Sequence, residues 1–263
     1  MAKQLIVEKL GKCAILTHVH PPANVWTVDG LLELKDALSG LSGDAEVYAV
    51  VLTGEGEQFF SAGADLSVFK HGDRREAAAI IDAFASAFGK LRTFPGVTVA
   101  AINGYALGGG LECALACDFM VAERGARLGL PETRVGLVPC AGGTKTLTDK
   151  VGLAWAKRMI LGGELVDAEE ARRIGLVEEV VDVGLAKITA ISLANKVGQQ
   201  APGAVAVARS LIAKSPQLTL DAQLSLEREG LLGLVGEAEQ IEGVSAFLEK
   251  RAPSWQDEGD DDD

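Results

Sequence analysis

The stretch GYALGGGLECALACDF, Gly104 to Phe119, decides how the rest of the chain is read. Gly108, Gly109 and Gly110 close an apolar run and open a segment of small and apolar residues that has the look of a helix. A glycine turn at a helix start can aim backbone N–H groups at an oxygen that gains negative charge. A plain tight turn is the simpler alternative. Glu112 stands in the first turn of this segment, and no acid or base precedes it back to Arg92. A carboxylate in such company is costly to desolvate unless it is paired, protonated or used. Its simplest alternative role is a charge favoured by the helix macrodipole.

Working outward, VTVAAING before this stretch and DFMVAE at its end read as strands that are apolar on both faces, so helices must cover the sheet. Nearer the N-terminus, QLIVEKL and KCAILTHV read as strands, TVDGLLELKDAL as an amphipathic helix and EVYAVVLTG as a buried strand, a ββαβ start. A helix follows at about Arg74 to Leu91. From about Gly152 the pattern turns helical through LAWAKRMILGG and AEEARRIG, with a short strand at LVEEVV and three more helical segments to about Lys250. No strict repeat emerges, although strand, strand, helix recurs loosely. The shift at Ala201-Pro202-Gly203 divides a core of residues 1–200 from a helical region of residues 201–256. The run DEGDDDD at 257–263 repels itself, has nothing to bury and is expected to be disordered.

With 263 residues, 48% of them hydrophobic, the bulk of the chain can bury a core. A formal charge of -12 removes the attraction to phosphates on which nucleic-acid affinity rests, so no nucleic-acid partner is expected. MAKQLIVEKLGK lacks an apolar signal core, and no apolar run reaches the roughly 20 residues needed to span a bilayer. The expectation is a cytoplasmic protein without a membrane partner. Cys13, Cys113, Cys117 and Cys140 lack CxxC spacing and are expected to be reduced; Cys113 and Cys117 share a helix face suited to core packing. His18 and His20 share a strand face, but no third ligand lies near, so no metal site is expected.

Two nucleotide-binding patterns fail. After EVYAVVLTG, a dinucleotide fingerprint would meet Phe59 where its third glycine must stand, and Ala141 to Thr146 lacks the glycine spacing of a phosphate loop. Ser61 to Asp65, in contrast, offers a second small-residue backbone that a ligand can approach closely. A second isolated acid, Glu132, follows Pro131 in ARLGLPETRVGLVP, with an ion pair to Arg127 or Arg134 as its simple alternative. Two carboxylates facing one small pocket push their pKa values apart, so that one serves as base and the other as acid near neutrality.

PPAN (Pro21 to Asn24), FFSAGADL (Phe59 to Leu66), AAINGYALGGGLECALACDF (Ala100 to Phe119), LGLPETRVGLVPCAGGT (Leu128 to Thr144) and EGVSAFLEKR (Glu242 to Arg251) together resemble the crotonase, or enoyl-CoA hydratase/isomerase, superfamily. The resemblance implies an α/β fold: a spiral of ββα units, with a C-terminal helical region that packs trimers, often paired into hexamers. It implies an acyl-CoA thioester substrate with coenzyme A as its carrier, and no separate cofactor. By position, the backbone N–H groups of Ala64 and Gly109 would form the oxyanion hole. Glu112 would activate water for attack at the β-carbon and Glu132 would protonate the α-carbon. Ala62, Ala64, Asp65, Leu66, Gly108, Gly109, Pro131 and Lys250 would contact the substrate. Both acids together favour a hydratase over an isomerase or hydrolase of the same superfamily, and over a non-catalytic oligomeric scaffold.

Departures from the family pattern matter for binding. Ser67 stands where many hydratases have a lysine near the CoA phosphates, leaving Lys70, or Lys250 and Arg251, to supply that charge. Cys140 replaces a common glycine and Trp26 a smaller residue, and either would reshape the acyl pocket. His71 reads as a solvated loop residue beside that pocket. Asp65 and Asp118 read as caps and turn acceptors rather than catalytic acids.

Overall fold

The computed structural model describes residues 3–44 and 46–256; the acidic stretch at 257–263, expected to be disordered, lies outside the described residues. The chain divides into two compact units between Ala194 and Asn195.

In the first unit β1 (Leu5–Leu10) and β2 (Cys13–His18) form an antiparallel hairpin turned at Gly11, whose φ of 55° suits glycine. They lead through β3 (Val25–Trp26) to α1 (Val28–Ser42), which Thr27 caps by accepting the Gly30 N–H. Next come β4 (Ala49–Gly54), β5 (Phe59–Ser61), β6 (Gly63–Ala64) and α2 (Arg74–Arg92), capped by Asp73. Then follow β7 (Val97–Ile102), β8 (Tyr105–Leu107) and α3 (Gly109–Ala114), and after them β9 (Phe119–Glu123), β10 (Arg127–Gly129) and α4 (Gly143–Leu161). The unit closes through β11 (Val166–Asp167), α5 (Ala168–Arg173) and β12 (Glu179–Val181), and α6 (Ala186–Gly198) crosses the division.

A regular spiral underlies this order. The larger sheet runs β1-β2-β4-β7-β9-β12 and the smaller one β11-β10-β8-β5. Each of the successive groups β4-β5-α2, β7-β8-α3 and β9-β10-α4 gives its first strand to the larger sheet and its second to the smaller. Every residue of β2, β4 and β7 is buried, as their doubly apolar sequences require. On α2, Ile80, Phe84, Phe88 and Leu91 present one apolar stripe to the core. Gly110 shows how tightly the layers approach, because a Cβ there would lie 2.3 Å from the Ser61 carbonyl oxygen. Only glycine lets α3 sit on β5.

The second unit is helical: α7 (Pro202–Lys214), α8 (Leu220–Leu234) and α9 (Ala238–Glu249). Two boundaries differ from the sequence expectation. The helix expected from about Gly152 starts at Gly143, with Gly152 a break inside it at φ 76°, ψ 166°. Four helices, α6 to α9, rather than three, follow the last strand among the described residues.

Candidate active site

The two isolated acids face one cavity of about 480 Å³, and its wall comes entirely from the first unit. Glu112 is only 2% exposed. Its Oε1 accepts the backbone N–H groups of Ala141 and Gly143, both at 2.8 Å. A Cβ on Gly143 would meet Glu112 Oε1 and Leu130 Cδ1 at 2.8 Å each, so glycine is needed for this clamp. The segment that superficially suggested a phosphate loop therefore holds a carboxylate of its own chain. Burial raises the Glu112 pKa, while the N–H groups of Gly143, Ala141 and Cys140 and the charge of Arg92 oppose the rise.

Glu132 opens a 3₁₀ turn, Glu132–Val135, that ends on left-handed Gly136 (φ 74°). Its Oε2 is buried with no hydrogen-bond partner among the described residues, so the ion pair with Arg127 or Arg134 does not form. Burial lifts its pKa to about 7; its own backbone N–H resists, and the charge of Glu112 adds to the rise. Near neutrality Glu132 can therefore hold or release a proton beside Glu112.

The glycine segments meet beside these acids. Gly109 is the first residue of α3, where a helix leaves N–H groups without internal acceptors. Gly63 has φ 97°, and a Cβ there would lie 2.7 Å from the Leu107 carbonyl oxygen and 3.1 Å from the Gly109 nitrogen. A Cβ on Gly109 would in turn lie 3.7 Å from the Ala64 nitrogen. The backbones of Ala64 and Gly109 are thus neighbours across a contact from which side chains are excluded.

Of the residues expected to contact substrate, Ala62, Ala64, Leu66, Gly108, Gly109 and Pro131 line this cavity. The Asp65 side chain instead caps the 3₁₀ turn Leu66–Phe69 by accepting the Ser67 N–H at 2.9 Å. Asp118 likewise accepts from the Thr98 backbone and hydroxyl, at 2.8 and 2.9 Å. Lys250 is the left-handed C-cap of α9, in the second unit. Lys70 and His71 are exposed around the turn before α2. Cys140 lines the cavity as expected, and the charges of both glutamates join burial in raising its thiol pKa to about 11. Trp26 does not: it is buried in the core against the His18 ring, which corrects the expectation that it reshapes the acyl pocket. Cys113 belongs to that core and Cys117 packs against it, and all four cysteines are free thiols.

The loop that begins at Phe69 borders the cavity as expected, whereas sequence reading missed the other apolar walls, chiefly Phe84, Leu137, Val138 and Leu165. Val138 on this wall is 68% exposed, which suits an apolar ligand better than a core. Among the described residues no group of three or more His, Cys, Asp or Glu could hold a metal ion, and no helix is long and apolar enough to cross a membrane.

Known proteins share this architecture. The sequence profile of the family described as Enoyl-CoA hydratase/isomerase matches residues 12–258. A short-chain-enoyl-CoA hydratase of Clostridium acetobutylicum is 38% identical over 248 residues, spanning 94% of this chain and 95% of that protein. A 2,3-dehydroadipyl-CoA hydratase of Escherichia coli is 37% identical over 253 residues, spanning 96% and 98%. Among solved structures, Pseudomonas aeruginosa DspI superposes with a TM-score of 0.94 at 51% identity, covering 97% of each chain.

Proposed function

This chain belongs to the enoyl-CoA hydratase/isomerase family, and on that premise we propose that it adds water across the 2,3 double bond of an enoyl-CoA thioester. The observation that carries this reading is the pair of glutamates in one cavity, one clamped by two backbone N–H groups and the other with a buried oxygen left free of hydrogen bonds among the described residues.

The thioester carbonyl oxygen sits between the N–H groups of Ala64 and Gly109, whose donation draws electrons from the conjugated double bond and makes the β-carbon electrophilic. Glu112, held by Ala141 and Gly143, orients a water and, acting as base, takes its proton as the hydroxyl joins the β-carbon. The electrons pass through the α-carbon to the oxygen held in the hole. Glu132 then delivers its proton to the α-carbon. One water is consumed, a C–O and a C–H bond form, the C=C π bond is lost, and the dyad ends with its proton on the other acid. Dehydration reverses each step with the roles exchanged. No redox change occurs, and coenzyme A enters as part of the substrate.

The apolar walls receive the acyl chain, with Cys140 shaping its space. Lys70, exposed at the turn before α2, supplies charge to the CoA phosphates. We assign a core at residues 1–200 and a helical region at 201–256, and place the protein in the cytoplasm as a homotrimer or a hexamer of paired trimers. Exposed Leu220, Phe247 and Leu248 in the second unit, at 73%, 83% and 73%, support self-association. A monomer mass by light scattering would overturn the assembly. The activity is tested by following the conjugated-thioester absorbance of crotonyl-CoA with wild type, Glu112→Gln and Glu132→Gln. Loss of absorbance with wild type alone supports the reading, and undiminished turnover in both variants refutes the assigned roles.

A further inference from the structure

An aromatic column runs through the core of the first unit behind the glycine segments. His18 ends β2 and is 1% exposed; its ring lies flat on Trp26, with centroids 3.7 Å apart and planes 7° from parallel. Trp26 meets Phe88 edge-on at 6.2 Å, and Phe88 packs against Phe84 at 5.3 Å. The edge-on contact of Trp26 with Phe88 is of the kind aromatic rings favour.

Two features make the column more than packing. First, it touches both backbone segments of the hole. Trp26 pairs with Ala64 in the β3–β6 ladder, and its carbonyl accepts the Asp65 N–H at 3.0 Å. At the other end, Phe84 Cζ and Cε1 lie 2.8 and 2.9 Å from where a Gly109 Cβ would stand. Second, His18 satisfies no ordinary requirement of a buried imidazole. Neither of its nitrogens, nor Trp26 Nε1, has a hydrogen-bond partner among the described residues, an arrangement that folded chains usually avoid. Burial, helped by His20, lowers the His18 pKa to about 3, so the ring stacks in its neutral form. With hydrogen bonding absent, what His18 contributes is its flat face on the indole.

We propose that His18 is a positioning residue: through Trp26, Phe88 and Phe84 it fixes the spacing of the Ala64 and Gly109 N–H groups that polarise the substrate carbonyl. This rests on the hydratase reading of the same site. Removing the imidazole opens space beside Trp26; tilting of the indole then shifts β3, and with it Ala64, and loosens the Phe88–Phe84 support under Gly109. Misplacement of such donors by an ångström is felt at the reaction centre as up to about 10²-fold in rate. Because the donors hold the enolate oxygen more strongly than the ground-state carbonyl, kcat suffers more than KM.

The test compares full-length wild type, His18→Ala and His18→Phe with crotonyl-CoA. Two quantities are read: steady-state kcat and KM, and the red shift in absorbance of the bound enoyl thioester, which reports carbonyl polarisation. For His18→Ala, kcat falls roughly 10- to 100-fold with KM within about twofold, the red shift shrinks, and the pH profile keeps its shape. His18→Phe restores the stacked face, the red shift and most of kcat, and raises the unfolding midpoint because two unmet nitrogens are gone. A folded His18→Ala with wild-type kcat and red shift overturns the proposal, as does a change in pH profile, which would make His18 a proton-transfer group. If His18→Ala does not fold, Phe88→Leu breaks the column at another point and carries the same expected and overturning results. If wild type binds crotonyl-CoA with a red shift but does not hydrate it, the hydratase reading fails while the red-shift comparison still decides the role of His18.

Discussion

Replacing Glu132 by Gln separates ionisation from packing, because the side chain keeps its shape and loses its proton. In the folded chain burial lifts this carboxyl from 4.5 to about 7. Between these values the native chain holds a proton that the unfolded chain has released, so stability falls as pH rises through this window. For a shift of this size, linkage gives a difference of about 2.5 kcal/mol between pH 5 and pH 8, reduced to about 1–2 kcal/mol because water reaches part of the side chain. Gln cannot ionise, so the variant lacks this slope: relative to wild type it gains about 1–2 kcal/mol on going from pH 5 to pH 8. Any fixed cost of burying an unpaired amide cancels in that difference. Urea unfolding of both proteins at the two pH values, at one protein concentration, measures it. Catalysis moves the other way, with kcat reduced by about 10²–10⁴ through loss of the proton donor. In wild type, kcat/KM declines above about pH 7 as Glu132 ionises. Parallel stability curves across this range, or wild-type activity in the variant, would refute the reasoning.

Other perturbations follow from the same geometry. Gly143→Ala places a methyl group 2.8 Å from Glu112 Oε1, and steady-state assay should show kcat lowered roughly tenfold or more as the clamp opens. Gly110→Ala puts Cβ 2.3 Å from the Ser61 oxygen; denaturant unfolding should show a loss of about 1–3 kcal/mol. Cys140, with its thiol near pKa 11, should alkylate slowly at pH 7.5 despite its exposure, and about tenfold faster per pH unit toward pH 9, with bound CoA thioester protecting it. Iodoacetamide labelling read by mass spectrometry checks this, and rapid labelling at pH 7 would contradict it.

Much of this was legible in the sequence because the signals were local. The doubly apolar strands β4 and β7 and the amphipathic α2 state their burial in their own periodicity. Glu112 and Glu132 were conspicuous as acids without charged company, and both lie in the cavity. The strands β5, β8 and β10 were not legible, since three residues are too few to show alternation and their pairing is set by distant partners. The clamp of Gly143 on Glu112 joins positions 31 residues apart, and sequence reading instead tested that loop for phosphate. Trp26 was misplaced for a similar reason: its neighbour is His18, across a ring stack that no local pattern encodes.

The most direct measurement is the fate of oxygen when the wild-type protein meets crotonyl-CoA in oxygen-18 water, read by mass spectrometry. The account requires a 3-hydroxyacyl-CoA that carries one labelled oxygen on the β-carbon, with the thioester intact, and its loss in Glu112→Gln. Label in a free carboxylic acid with release of coenzyme A, or a shifted double bond without label, would contradict the account and identify a hydrolase or an isomerase instead.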